Sequence, residues 1–202
     1  RQFDRVCAVL TDLGYLSTNA DGNVEVTADG NMLAGLYADQ DLLTSECIRE
    51  GVWQGLTPPE LAGAAAALVF ESRSPDEGGV TPPLPRSPAL RAALAEQLDL
   101  AADLAERESR HHVNFVRQPN PGFSMAAWSW AHGNDLHTVL RDSELAPGDF
   151  VRWCRQLIDL MAQIAEAAPE RELRANARSA MDGLRRGVVS YTGVEANELA
   201  GE

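Results

Sequence analysis

One helix-length stretch constrains this fold more than any other. Phe150, Cys154, Leu157, Met161, Ile164 and Ala168 recur at the spacing that places them on one face of an α-helix. Pro147-Gly148-Asp149 precedes them, a turn with an acidic N-cap, and predicts a helix beginning near Phe150. Val151, Trp153 and Leu160 widen the apolar surface to about half the cylinder, more than an ordinary surface helix needs. What remains is a narrow polar strip: Arg152, Arg155, Gln156, Asp159 and Gln163. A helix of this kind either meets solvent along its strip or lines a channel. Arg152, Gln156 and Asp159 fall at i, i+4 and i+7, in one line along the axis. An arginine can hold a phosphate or stack on a base, a glutamine can read a base edge, and an aspartate accepts from an amino group. Spacing alone slightly favours a solvated strip, with Arg155 and Asp159 as an i,i+4 ion pair.

The 202 residues suffice for one large domain, or a small one joined to a larger. The longest apolar run, 61–70, is too short to span a membrane, and no basic-then-apolar leader opens the chain. Arg1-Gln2-Phe3 already reads as helix, so a piece of a longer protein is expected. Cys7, Cys47 and Cys154 are odd in number and widely spaced on apolar helix faces, which predicts free thiols and a reducing, cytoplasmic location. All 17 basic residues are arginine, and the net charge is −13. That charge opposes autonomous nucleic-acid binding. It is compatible with one wall of a larger site whose other walls are basic.

Taken in order, 2–13 has helical spacing and Gly14 marks its end. Residues 23–27 alternate like a strand, Asp29-Gly30 reads as a hairpin turn, and 31–37 as the returning strand. A helix followed by a hairpin resembles the second half of a winged helix. A helix over 39–51 follows. Thr57-Pro58-Pro59-Glu60 is a capping box opening a helix over 58–72, whose small residues 63–67 permit close packing. Pro75, Pro82, Pro83 and Pro85 make 74–87 a linker or surface loop. Further helices are predicted over roughly 89–117, 123–131, 135–141, 150–165 and 170–190, with a frayed tail over 195–202. The expected fold is mainly α: a winged-helix remnant over 1–38, then a bundle of six or seven helices over 39–194.

Catalytic signatures do not appear. The sequence has no GxxxxGK[ST] loop, no GxSxG and no HExxH. His111 and His112 would point about 100° apart on a helix, and His132 and His137 lack nearby partners, so no metal site is expected. The paired acids read as solvated faces. Trp128 and Trp130 would face different sides of one helix, one in the core and one at a domain contact.

Several blocks carry a family resemblance. Asp41-Leu42-Leu43-Thr44-Ser45-Glu46 leads to Gly51. Leu56-Thr57-Pro58-Pro59-Glu60-Leu61-Ala62 is followed by Leu68-Val69-Phe70-Glu71-Ser72-Arg73. Gly148-Asp149-Phe150-Val151-Arg152 runs through Leu160, and Arg185-Arg186-Gly187-Val188-Val189 closes the series. Together they resemble the C-terminal, DSHCT-type domain of the Ski/Mtr/HelY group of superfamily-2 DExH RNA helicases, and the all-arginine composition suits the actinobacterial HelY branch. The resemblance implies a parent ATP-dependent RNA helicase with two RecA-like motor domains preceding Arg1. ATP and Mg²⁺ would bind those motors; this chain would hold no cofactor and catalyse nothing. It also implies a ring closed around single-stranded RNA, with DNA as the alternative strand, and RNA-degradation machinery as a partner. The 150–166 helix would be a ratchet-like element touching bases through Arg152, Arg155, Gln156 and Asp159. In some relatives the Gln156 position holds Arg and the Asp159 position Glu, so base contacts here are expected to be weaker. The competing expectations are an acidic protein-interaction module with a solvated strip and, least favoured, a winged-helix DNA-binding regulator.

Overall fold

The computed structural model of the protein describes residues 1–72 and 84–191. Most of the proline-rich 74–87 segment and the expected tail over 195–202 lie outside the described residues. Among those described are nine α-helices and one two-stranded antiparallel sheet, so the fold is mainly α as expected.

The N-terminal unit comprises α1 (Gln2–Asp12), β1 (Leu16–Thr18), β2 (Val24–Val26) and α2 (Ala28–Ala34). A hairpin is present, but one turn earlier than the sequence pattern indicates. Leu16 pairs with Val26 and Thr18 with Val24, whereas Asp29-Gly30 lie inside α2 and 31–34 are helical rather than a strand. Local hydrogen bonding explains the difference. The Asn19 side chain accepts from the backbone N–H groups of Asp21 and Asn23, and Gly22 takes φ +82, which together close the β-turn there. Thr27 accepts the Gly30 N–H at 3.1 Å and caps α2. An Asp-Gly pair inside a capped first turn is no longer available as a hairpin turn.

Seven helices follow: α3 (Asp41–Arg49), α4 (Pro58–Val69), α5 (Pro88–Arg110), α6 (Ser124–Ala131), α7 (Leu136–Ser143), α8 (Pro147–Ala167) and α9 (Arg171–Leu184). At their centre, α4 packs against α5, α6, α8 and α9. Its 61–68 run is buried, with small residues allowing neighbours to approach closely. The capping box at Thr57 and Glu60 forms as predicted. Glu60 also accepts from the Ser87 hydroxyl at 2.8 Å, and Ser87 in turn caps α5, so the starts of α4 and α5 are tied together.

Several helix boundaries differ from expectation; α4, for one, stops at Val69 rather than 72. Helix α5 stops at Arg110 instead of continuing to 117. The buried Glu108 carboxylate accepts the backbone N–H groups of Phe115 and Val116 at 2.8 and 3.0 Å, folding the chain back around itself. His111 and His112 therefore sit at a helix end, His112 in the left-handed region at φ +58. Helix α9 stops at Leu184, because Arg186 lies 3.5 Å over the Trp130 ring and bonds its carbonyl. Beyond it Val188 is exposed and Val189 is buried. Helix α8 begins at Pro147 with Ala146 as its cap, which puts Asp149 in the first turn rather than at the N-cap. In α1 the inward face is shorter than its periodicity implies: Val9 and Leu13 are buried, whereas Phe3 is 77% exposed.

Candidate nucleic-acid interface

The apolar face of α8 is built as its spacing predicts. Phe150, Cys154, Leu157, Met161, Ile164 and Ala168 are all buried, joined by Trp153, Ile158, Leu160 and Ala165. Each large side chain here contributes roughly 1.5–3 kcal/mol by leaving water, so the helix is held in place from most sides. Arg152, Arg155, Gln156 and Asp159 are exposed. Gln163 is not: it is 8% exposed, and its Oε1 accepts the Tyr37 backbone N–H at 2.9 Å.

The four exposed side chains do not behave as one line. Arg152 lies over the Trp153 ring at 4.7 Å, with its guanidinium 3.5 Å from the Asp149 carboxylate. Arg155 donates to the Tyr191 carbonyl rather than pairing with Asp159. An open hollow of about 480 Å³ lies there, lined by Arg155, Asp159, Arg185, Ser190 and Tyr191. On the other side of α8, Gln156, Asp159 and Gln163 line a smaller cleft of about 150 Å³ together with Asp39, Gln40 and Arg117. Asp159 borders both. The structure thus brings Gln156 and Asp159 to one cleft, Arg155 and Asp159 to another, and leaves Arg152 outside both.

Sequence reasoning missed Arg117 and Gln40. The Arg117 guanidinium pairs with Glu71 and lies 4.0 Å from Asp39, while its backbone N–H donates to Gln40 Oε1 at 2.9 Å. The signal was Gln118-Pro119-Asn120-Pro121, which ends any helix before it. What could not be read was the side of the bundle on which the following chain returns.

Two of the three cysteines are buried and unreactive. Burial pushes the Cys47 and Cys154 thiols well above their ordinary range, so neither is a thiolate at neutral pH. Cys7 is half-buried, and all three are free. Trp130 is the core tryptophan of its pair and Trp128 is half-buried. Among the described residues no group of three or more His, Cys, Asp or Glu side chains is arranged to hold a metal, and no helix is long and apolar enough to cross a membrane.

Comparison with known proteins places these features in a family. The DSHCT (NUC185) domain model matches residues 23–192. A protein described as probable helicase HelY of Mycobacterium leprae is 41% identical over 198 residues, which cover 94% of this chain and 21% of that protein. The probable helicase HelY of Mycobacterium tuberculosis is 42% identical over 201 residues, 94% of this chain and 22% of that protein. More distantly, the ATP-dependent RNA helicase mtr4 of Schizosaccharomyces pombe is 27% identical over 169 residues, 79% of this chain and 14% of that protein. The chain spans about a fifth of the length of the HelY proteins it matches.

Proposed function

Because the chain belongs to the DSHCT domain family, we propose that it is the C-terminal accessory domain of a cytoplasmic ATP-dependent RNA helicase. In this reading two RecA-like motor domains of the same polypeptide bind ATP and Mg²⁺ and do the chemistry. The bundle packs on them and closes a channel, and α8 presents its strip to single-stranded RNA, with RNA-degradation machinery as a further partner. RNA rather than DNA is the substrate suggested by the name of the mtr4 relative.

One observation carries the proposal: four hydrogen-bonding side chains stand exposed along a helix whose apolar face is buried. A helix held this firmly fixes the backbone of Arg152, Arg155, Gln156 and Asp159, so that only their side chains must be ordered on binding. Arg152 and Arg155 supply positive charge for phosphates, and Gln156 and Asp159 supply donors and acceptors for base edges. The net charge of −13 suits a single wall, with the motor domains supplying most phosphate contacts.

Replacing Gln156 and Asp159 by Ala in the full-length protein should lower RNA unwinding while leaving the fold intact, because both side chains are exposed. The same acidity supports a second reading, an interaction module that docks a protein partner and leaves the strip solvated. Unchanged unwinding in the double variant would favour that one.

A further inference from the structure

Tyr37 is the most exposed large apolar side chain among the described residues, at 80%. A ring this exposed is free to stack on a partner. Its backbone, by contrast, is fixed. The Tyr37 N–H is held by the buried carboxamide of Gln163, a residue of the α8 strip. The residues that follow, Ala38, Asp39 and Gln40, form one wall of the cleft whose other wall is Gln156, Asp159 and Gln163. The ring therefore projects from a rigid point one residue from that cleft.

The cleft itself is small, about 150 Å³, against the roughly 300–1,000 Å³ of a drug-sized ligand site. Leu68, Val69 and Leu160 provide an apolar surface within it. Its polar rim carries the Asp39 and Asp159 carboxylates, which only accept, beside the carboxamides of Gln40 and Gln156, which both donate and accept. The one guanidinium, Arg117, is already paired with Glu71 and lies near Asp39. A flat, partly apolar group with N–H donors on its edge matches this chemistry, and an anionic group does not.

We infer that Tyr37 is a stacking platform for one unpaired nucleobase of the passing strand, whose amino-bearing edge faces Gln156 and Asp159 across the cleft. This rests on the proposed contact between α8 and single-stranded RNA, and adds to it the residue that holds the base and a preference for bases with an exocyclic amino group over uracil. Base–aromatic stacking is tolerant of sequence but loses about five-fold or more in affinity when the ring is removed. Truncating an exposed ring leaves the fold undisturbed, which thermal melting checks.

The test uses the full-length protein and short single-stranded RNA carrying a fluorescent adenine analogue at successive positions. Tyr37→Ala should weaken binding about five-fold or more and abolish the change in analogue fluorescence. Tyr37→Phe should keep both near wild type, and oligo(U) should bind less tightly than oligo(A) or oligo(C). If Tyr37→Ala binds as wild type while Gln156→Ala with Asp159→Ala weakens binding, the stacking inference fails and the strip contact stands. If Tyr37→Phe is as weak as Tyr37→Ala, the hydroxyl rather than the ring is at work, which also overturns it. If neither Tyr37→Ala nor the strip variant changes RNA binding, both fail, and a basic side chain of a protein partner becomes the better occupant of this acceptor-rich cleft.

Discussion

The carboxamide oxygen of Gln163 accepts the backbone N–H of Tyr37 at 2.9 Å, joining positions 126 residues apart. This bond fastens the chain just after the N-terminal hairpin unit to the C-terminal turns of α8, tying one wall of the cleft to the other. Removing the acceptor leaves a partly buried N–H without its partner, which costs about 1–3 kcal/mol. Gln163→Ala should therefore lower stability in urea unfolding by about that amount, and Gln163→Met, which keeps the bulk but not the acceptor, by a similar amount. A near-neutral Gln163→Met would mean that packing, not the hydrogen bond, sets the effect.

Two glycines in helices should respond oppositely to alanine. In a helix interior, alanine gains about 1 kcal/mol over glycine from backbone entropy. At Gly30 an added Cβ would lie 2.3 Å from the Tyr15 carbonyl oxygen and 2.7 Å from Val26. The carbonyl is backbone and cannot swing away, so overpacking of about 1–3 kcal/mol outweighs the gain. At Gly148 nothing lies within 4 Å. Thermal melts should show Gly30→Ala destabilised and Gly148→Ala unchanged or slightly stabilised. A stable Gly30→Ala protein would contradict the close contact between α2 and Tyr15.

Acid should weaken the joint between α4 and α5. Partial burial pushes the Glu60 carboxyl upward, but the Thr57 backbone N–H and the hydroxyls of Ser87 and Thr57 hold it below its ordinary range overall. A carboxyl whose folded pKa is depressed stabilises above its unfolded pKa, near 4.3, and loses that contribution as pH falls through the folded value. The difference in melting temperature between the wild type and Glu60→Gln should be largest near neutrality and shrink toward pH 3. A difference independent of pH would assign the effect to hydrogen-bond geometry alone.

The chain by itself should bind single-stranded RNA weakly or not measurably and hydrolyse no ATP. Phosphate contacts supply most nucleic-acid affinity, and here 17 arginines face 30 acidic residues with no lysine. Arg49, Arg117 and Arg186 are moreover engaged by Glu46, Glu71 and Trp130. Anisotropy titration at several salt concentrations measures this. Tight binding with a steep salt dependence would place the main phosphate contacts within this chain after all.

The helical spacing of 150–168, the Thr57 and Glu60 capping box and the end of α1 at Gly14 were legible from the sequence. Each depends on contacts within a few residues or on a burial period that every turn repeats. The hairpin register was not. Asp29-Gly30 is a strong local turn signal, and it yields to the cap at Thr27 and the close approach of Gly30 to Tyr15. The length of α5 was likewise hidden, because its end depends on Glu108 receiving the backbone of Phe115 and Val116 from beyond the turn.

For the α8 strip the same division holds. Periodicity alone determined that one face of this helix is apolar and that Arg152, Arg155, Gln156 and Asp159 lie off it, since those positions follow from the helical repeat. Only the tertiary structure decided that Gln163 turns inward to hold Tyr37, that Arg155 bonds the Tyr191 carbonyl, and that Gln156 and Asp159 share a cleft with Arg117. Those partners come from segments roughly 30–130 residues away, and no local repeat encodes which distant backbone will fold against a given side of a helix.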